Sequence, residues 1–172
     1  NMNIQCINRI PLARGLGSSG AATLGGLIAA NAIEGNPLSD QDLLRLAVEI
    51  EGYPDNVTAG LFGGCQIAIQ SGHGAEVITS KVSIKGNPRI VIFVPESQIP
   101  TEYARAILPK EISREDAIFN LGRVALLINS LVTGKWQDLK IAMEDRLHQP
   151  YRTELLPGLE SIITSATDAG AI

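Results

Sequence analysis

One stretch carries residue types that can grip a phosphate: Arg14-Gly15-Leu16-Gly17-Ser18-Ser19-Gly20-Ala21-Ala22. Glycines let the backbone take positive φ and let a ligand come close to the main chain. A helix starting here would offer unpaired N–H groups and the positive end of its dipole, which favour an anion. The hydroxyls of Ser18 and Ser19 can donate to phosphate or hold a metal ion. Three glycines and two serines exceed what a simple helix cap requires.

Known phosphate loops can be tested against this stretch. A P-loop needs Lys after the second glycine of G-x-x-x-x-G-K-[ST], and no Lys stands there. Gly15, Gly17 and Gly20 match G-x-G-x-x-G, but that fingerprint needs a second strand soon after the helix, ending in an acidic residue. Here a second helix follows, opening at Ser39. The glycine loop of protein kinases lies between strands, whereas this one feeds a long helix.

Other candidates stand further on. Glu49 and Glu51 lie at the end of the second helix, before Tyr53-Pro54-Asp55-Asn56. Periodicity alone puts Glu49 on a solvated face, opposite the apolar stripe Leu43, Leu46, Ala47 and Ile50. Asp55 and Asn56 are residue types that cap a helix. Arg105 and Arg152 lie in short polar stretches beside proline-bounded breaks, a setting that suits a site better than a helix face does. His73 reads as an exposed turn residue and His148 as structural.

The elements that must position these residues form an α+β chain. A strand is expected at residues 3–10, ended by Pro11, then a loop at 12–17 and a helix at 18–33. Ser39 caps the next helix, with Asp40 and Asp42 in its first turn. A short helix reaches Leu61, and strands are expected at 65–70, 76–84 and 89–94. The rest is helical: residues 101–108, a long helix capped by Ser113 with Ala117, Leu121, Val124, Ile128 and Leu131 on one face, then 136–148 and 157–168. A domain boundary is expected near Gly86, giving domains 1–86 and 87–172.

Composition narrows the function. The 172 residues are 45% hydrophobic and 19% charged, as in a globular chain. A net charge of -4 offers no basic surface for nucleic acid. The uncharged run 15–33 is too rich in Gly, Ser, Thr and Asn to suggest a membrane span. Cys6 and Cys65 sit in expected strands and read as isolated buried thiols rather than a disulfide framework. These features point to a soluble, reducing, cytoplasmic setting.

Pro11-Leu12-Ala13-Arg14-Gly15-Leu16-Gly17-Ser18-Ser19-Gly20-Ala21-Ala22 resembles the P-x-x-x-G-L-G-S-S-A-A signature of the GHMP kinases, with Gly20 where Ala is usual. Three further stretches are similar to the homoserine kinase branch of that family. They are Glu49 to Val57 followed by Phe62-Gly63-Gly64, Thr101 to Pro109, and Leu147 to Arg152 followed by Leu156-Pro157-Gly158. The resemblance covers essentially the whole chain. It implies a first domain like ribosomal protein S5 domain 2 and a ferredoxin-like second domain, both incomplete here. The family's P-x-S-x-N-L-G-P-G-F-D signature does not occur, and its G-A-G-P loop would start just after Ile172. The chain is therefore expected to be part of a longer enzyme and not active alone.

The resemblance also implies roles. ATP phosphates would lie on Pro11, Arg14, Gly15, Leu16, Gly17, Ser18, Ser19, Gly20 and Ala21. Mg²⁺ would be held by a loop serine, Ser19 ahead of Ser18, and by a glutamate, Glu49 ahead of Glu51. Arg105 and Arg152 would hold the carboxylate of homoserine, since the guanidinium fork matches two oxygens. Asp55 and Asn56 would grip its ammonium group and hydroxyl, with Asp55 a candidate general base and Glu49 the second catalytic carboxylate. Tyr53 replaces a frequent family His and cannot carry a positive charge at neutral pH. The expected reaction is phosphorylation of homoserine by Mg-ATP, with homodimers and threonine inhibition allowed by the family. Mevalonate or shikimate kinase, or a non-catalytic binding protein on the same fold, are the alternatives.

Overall fold

The computed structural model describes residues 3–71, 76–94, 101–153 and 155–172, with the backbone alone at Thr101 and Glu102. His73 and Pro100 lie outside the described residues. The chain divides into two compact units, Asn1–Lys81 and Val82–Ile172. The division falls a few residues before Gly86, because the chain beyond β2 already bonds into the second unit. There the Lys85 N–H donates to the Leu131 carbonyl at 2.8 Å.

The first unit holds α1 (Ser18–Ile33), α2 (Asp40–Glu51), α3 (Asp55–Phe62) and a two-stranded sheet of β1 (Cys65–Ser71) and β2 (Glu76–Val82). Buried Asn31 near the end of α1 turns the chain into α2. Its Nδ2 donates to the Leu38 carbonyl at 3.1 Å, and its Oδ1 accepts the Leu38 N–H at 3.0 Å. A reciprocal capping box then starts α2. Ser39 Oγ accepts the Asp42 N–H, while Asp42 accepts the Ser39 N–H and hydroxyl. Hydrogen bonds from the Ser39 side chain and backbone hold the Asp42 carboxyl below its usual range.

Leu24, Leu44, Ala47, Val48, Val57 and Val77 form the core of this unit. Full burial of each Leu or Val is worth about 1.5–3 kcal/mol. The apolar face of α2 differs from the expected stripe. Leu43, Leu44, Ala47 and Val48 are buried, while Ile50 is 63% exposed. Contact with α1 and α3 selects the Leu44–Ala47–Val48 side, and Glu51 continues that side at helical spacing.

The second unit holds α4 (Thr101–Ala106), α5 (Arg114–Thr133), a 3-10 turn at Trp136–Asp138, α6 (Leu139–Ala142), α7 (Gln149–Thr153) and α8 (Leu159–Asp168). The helix expected at 136–148 is therefore broken into short pieces. By length and composition alone, α5 could cross a membrane. It instead packs a mixed face on the 3-10 turn and α6. Leu121 and Val124, on the expected apolar face, are exposed, whereas Ser130 is buried and Asn120 and Arg123 are half-buried.

The strands expected at 3–10 and 89–94 are irregular. A strand persists only when a neighbour pairs with its backbone, and among the described residues none does so here. Cys6 is consequently exposed rather than buried, and Cys65 is half-buried.

Candidate functional site

The phosphate-type loop has the backbone its glycines foretell. Gly15 and Gly17 take φ of 69° and 75°. Gly17 is the N-cap residue of α1 and offers no side-chain cap, and no acidic residue stands in the first turn. An uncapped helix N-terminus of this kind can receive an anion. Asn8 braces the approach. Its Nδ2 donates to the Ile10 carbonyl at 3.1 Å and to Ser18 Oγ at 3.4 Å.

Two hydroxyls on α1 meet one carboxylate on α2. Ser19 Oγ donates to Glu51 Oε1 at 2.9 Å, and Thr23 Oγ1 donates to the same oxygen at 2.6 Å. Ser19 and Thr23 are four residues apart and share a helix face. Glu51 ends α2, at the negative end of that helix, and the last turn holds no basic residue. A carboxylate there is electrostatically unfavourable unless a cation balances it. Hydroxyl and carboxylate oxygens are the hard donors Mg²⁺ prefers, and Mg²⁺ takes few protein ligands beside phosphates and water. The donor set fits that ion. Among the described residues no group of three or more His, Cys, Asp or Glu could hold a metal by itself.

Residues 1–64 match the model of the GHMP kinases N terminal domain. Similarity to known proteins runs through the rest of the chain as well. A homoserine kinase from Microchaete diplosiphon is 47% identical over 162 residues, covering 94% of this chain and 52% of that protein. One from Clostridium botulinum (strain Eklund 17B / Type B) is 42% identical over 172 residues, covering 99% and 57%. The crystal structure of homoserine kinase from Cytophaga hutchinsonii superposes with a TM-score of 0.81 at 32% identity, over 95% of this chain and 53% of that one.

The first 64 residues thus resemble the GHMP kinases N terminal domain, and nearly the whole chain resembles homoserine kinases.

It spans about half the length of the curated relatives it matches. Its α+β structure has the GHMP kinase fold.

The structure brings together part of the expected set. Ser18, Ser19 and Gly20 open α1, preceded by Pro11, Arg14, Gly15, Leu16 and Gly17, with Ala21 behind. Asn56 joins them from α3: a Cβ built at Gly17 would stand 3.1 Å from Asn56 Oδ1. Asp55 starts α3, and its Oδ1 accepts the Asn56 N–H at 2.9 Å. Tyr53 is half-exposed in the turn after Gly52, which takes φ of 82°. Glu49 is exposed and its side chain makes no hydrogen bond among the described residues, so Glu51 is the glutamate that meets Ser19. Arg105, in the last turn of α4, and Arg152, in α7, belong to the second unit. The Arg152 Nε is buried and has no hydrogen-bond partner among the described residues.

Thr23 and Glu51 are the residues that a stripe through Leu43 and Ile50 passes over. The sequence does hold a signal for each. Thr23 repeats the hydroxyl of Ser19 one turn on, and Leu44, Ala47, Val48 and Glu51 follow the spacing of a single helix face.

Proposed function

We propose that the protein carrying this chain phosphorylates the hydroxyl of L-homoserine with Mg-ATP, releasing O-phospho-L-homoserine and ADP. What supports the kinase reading is the Ser19–Glu51–Thr23 contact beside an uncapped helix N-terminus. What supports homoserine as acceptor is the similarity to homoserine kinases along 94–99% of the chain.

In this reading the opening N–H groups of α1 and the Ser18 hydroxyl hold the phosphates of ATP. Ser19 and Glu51 hold Mg²⁺, which would neutralise charge on the phosphates when bound. Thr23 keeps Glu51 in place. Arg105 and Arg152 clamp the substrate carboxylate, and Tyr53, Asp55 and Asn56 orient its ammonium group and hydroxyl. The hydroxyl oxygen bonds to the γ-phosphorus as the bond to the β-phosphate oxygen breaks. The hydroxyl proton passes to Asp55 or to the transferred phosphate. The first unit would correspond to the family's S5-like domain and the second to its ferredoxin-like domain, in a soluble cytoplasmic enzyme.

The test is ADP release by the full-length protein with homoserine, mevalonate and shikimate in turn, repeated with Arg105→Ala and Arg152→Ala. Turnover of homoserine alone, lost in both variants mainly through KM, is expected. Turnover of another acid instead would overturn the substrate assignment while leaving the kinase reading.

A further inference from the structure

The second unit contains a polar cluster that the proposed reaction does not use directly. Asp145 lies between α6 and α7. Its carboxylate accepts the backbone N–H groups of Leu147, at 3.1 Å, of His148, at 2.7 Å, and of Gln149. It also accepts Asn120 Nδ2 from α5, at 2.6 Å. Asn120 binds the same turn a second time, its Oδ1 accepting the Arg146 N–H at 3.0 Å. One side chain of a 20-residue helix thereby fixes two consecutive residues of a turn. A single carboxylate then gathers three successive N–H groups at the start of α7. Burial opposes ionisation of Asp145, but the bonds from Gln149, Asn120, His148 and Leu147 outweigh it, and its pKa falls to about 2.

α7 carries Arg152. Its N–H donates to the His148 carbonyl at 3.1 Å, so the residue bearing the guanidinium is anchored to the very turn that Asp145 holds. Among the described residues the buried Arg152 Nε has no partner. A buried unmet donor costs free energy, and an incoming acceptor would satisfy it. A guanidinium recognises a carboxylate only when its fork is correctly placed.

We propose that Asn120 and Asp145 are positioning residues for Arg152, setting its guanidinium to receive the substrate carboxylate. The inference rests on the reading of Arg152 given above. Neither residue touches substrate. Both act through the backbone of residues 145–149.

The experiment uses the full-length protein and two acceptors, homoserine and 3-aminopropan-1-ol. The second keeps the hydroxyl and the ammonium group but lacks the carboxylate, and it is followed as a substrate or as a competitor of homoserine. Asp145→Asn is expected to lower kcat/KM for homoserine roughly tenfold to a hundredfold, the scale of a slightly misplaced contact. The loss should lie in the KM for homoserine, with the KM for ATP and the handling of 3-aminopropan-1-ol unchanged. In an Arg152→Ala background Asp145→Asn should cost nothing further. Asn120→Ala should shift the same ratio in the same direction, and it decides the matter should Asp145→Asn fail to fold. Equal losses on both acceptors, or losses that add to those of Arg152→Ala, would reduce the cluster to a helix cap and overturn the proposal. Should Arg152→Ala itself leave the ratio of the two acceptors untouched, the carboxylate reading of Arg152 fails, and the proposal falls with it.

Discussion

Glu51→Gln and Glu49→Gln separate the two glutamates at the end of α2. Gln keeps the size of Glu and can still accept the Ser19 and Thr23 hydroxyls, now at 2.9 and 2.6 Å from the Glu51 oxygen. What it removes is the charge. Hydrogen bonds to a charged acceptor exceed neutral ones by about 1 kcal/mol, so the tether to α1 slackens. Removing one group that stabilises the charge developing in a transition state typically costs about 2.7–4 kcal/mol, as measured for a single hydrogen-bond donor, and the same scale is taken for the charge of Glu51. At about 1.36 kcal/mol per tenfold in rate, Glu51→Gln should lower kcat by roughly a hundredfold to a thousandfold and raise the free Mg²⁺ needed for half-maximal rate. Glu49 is exposed and its side chain makes no hydrogen bond among the described residues, so Glu49→Gln should stay within about 0.5 kcal/mol of the parent in stability and close to it in rate. The assay is ADP release at saturating homoserine over a range of free Mg²⁺, with thermal melts to establish that both variants fold. A loss in Glu49→Gln equal to that in Glu51→Gln would refute the assignment, as would full activity in Glu51→Gln.

Further outcomes are expected. Ser39→Ala removes the side chain that accepts the Asp42 N–H and should destabilise the protein by about 1 kcal/mol in urea unfolding. Val57→Ala empties part of a fully buried site and should cost about 2 kcal/mol or more. Gly20→Ala alone should gain little, since its Cβ would stand 3.2 Å from Val57 Cγ1. In the Val57→Ala background it should recover about 1 kcal/mol of helix propensity. Asp145 binds protons more weakly in the folded state, at about 2 against 3.8. Its stabilisation is therefore complete above pH 3.8 and lost as pH falls through about 2. Discounted for solvent screening it is on the order of 1 kcal/mol, and an acid titration of Asp145→Asn should lack that slope.

Local chemistry was legible without the fold. Three glycines, two serines and an alanine-rich run sufficed to place the N-terminus of α1 and to nominate residues 15–20 for a phosphate. Ser39 and Ser113 marked the starts of their helices, because a cap needs only residues within one turn. The sequence also holds Asp55 and Asn56 at the head of a short helix, as observed.

What the sequence left open is where each element meets another. Two apolar stripes were available on α2, one through Leu43 and Ile50 and one through Leu44 and Val48. Contact with α1 and α3 chose the second, and that choice brings Glu51 rather than Glu49 to Ser19. The apolar residues at 3–10 and 89–94 have strand-like patterns, but strands exist only with partners, and pairing is a long-range event. The Asn120–Asp145 contact joins residues 25 apart in sequence, and no local pattern announces it. Periodicity lists the faces an element can present. Only packing in three dimensions, where buried polar groups must find partners and apolar side chains must leave water, decides which face is used.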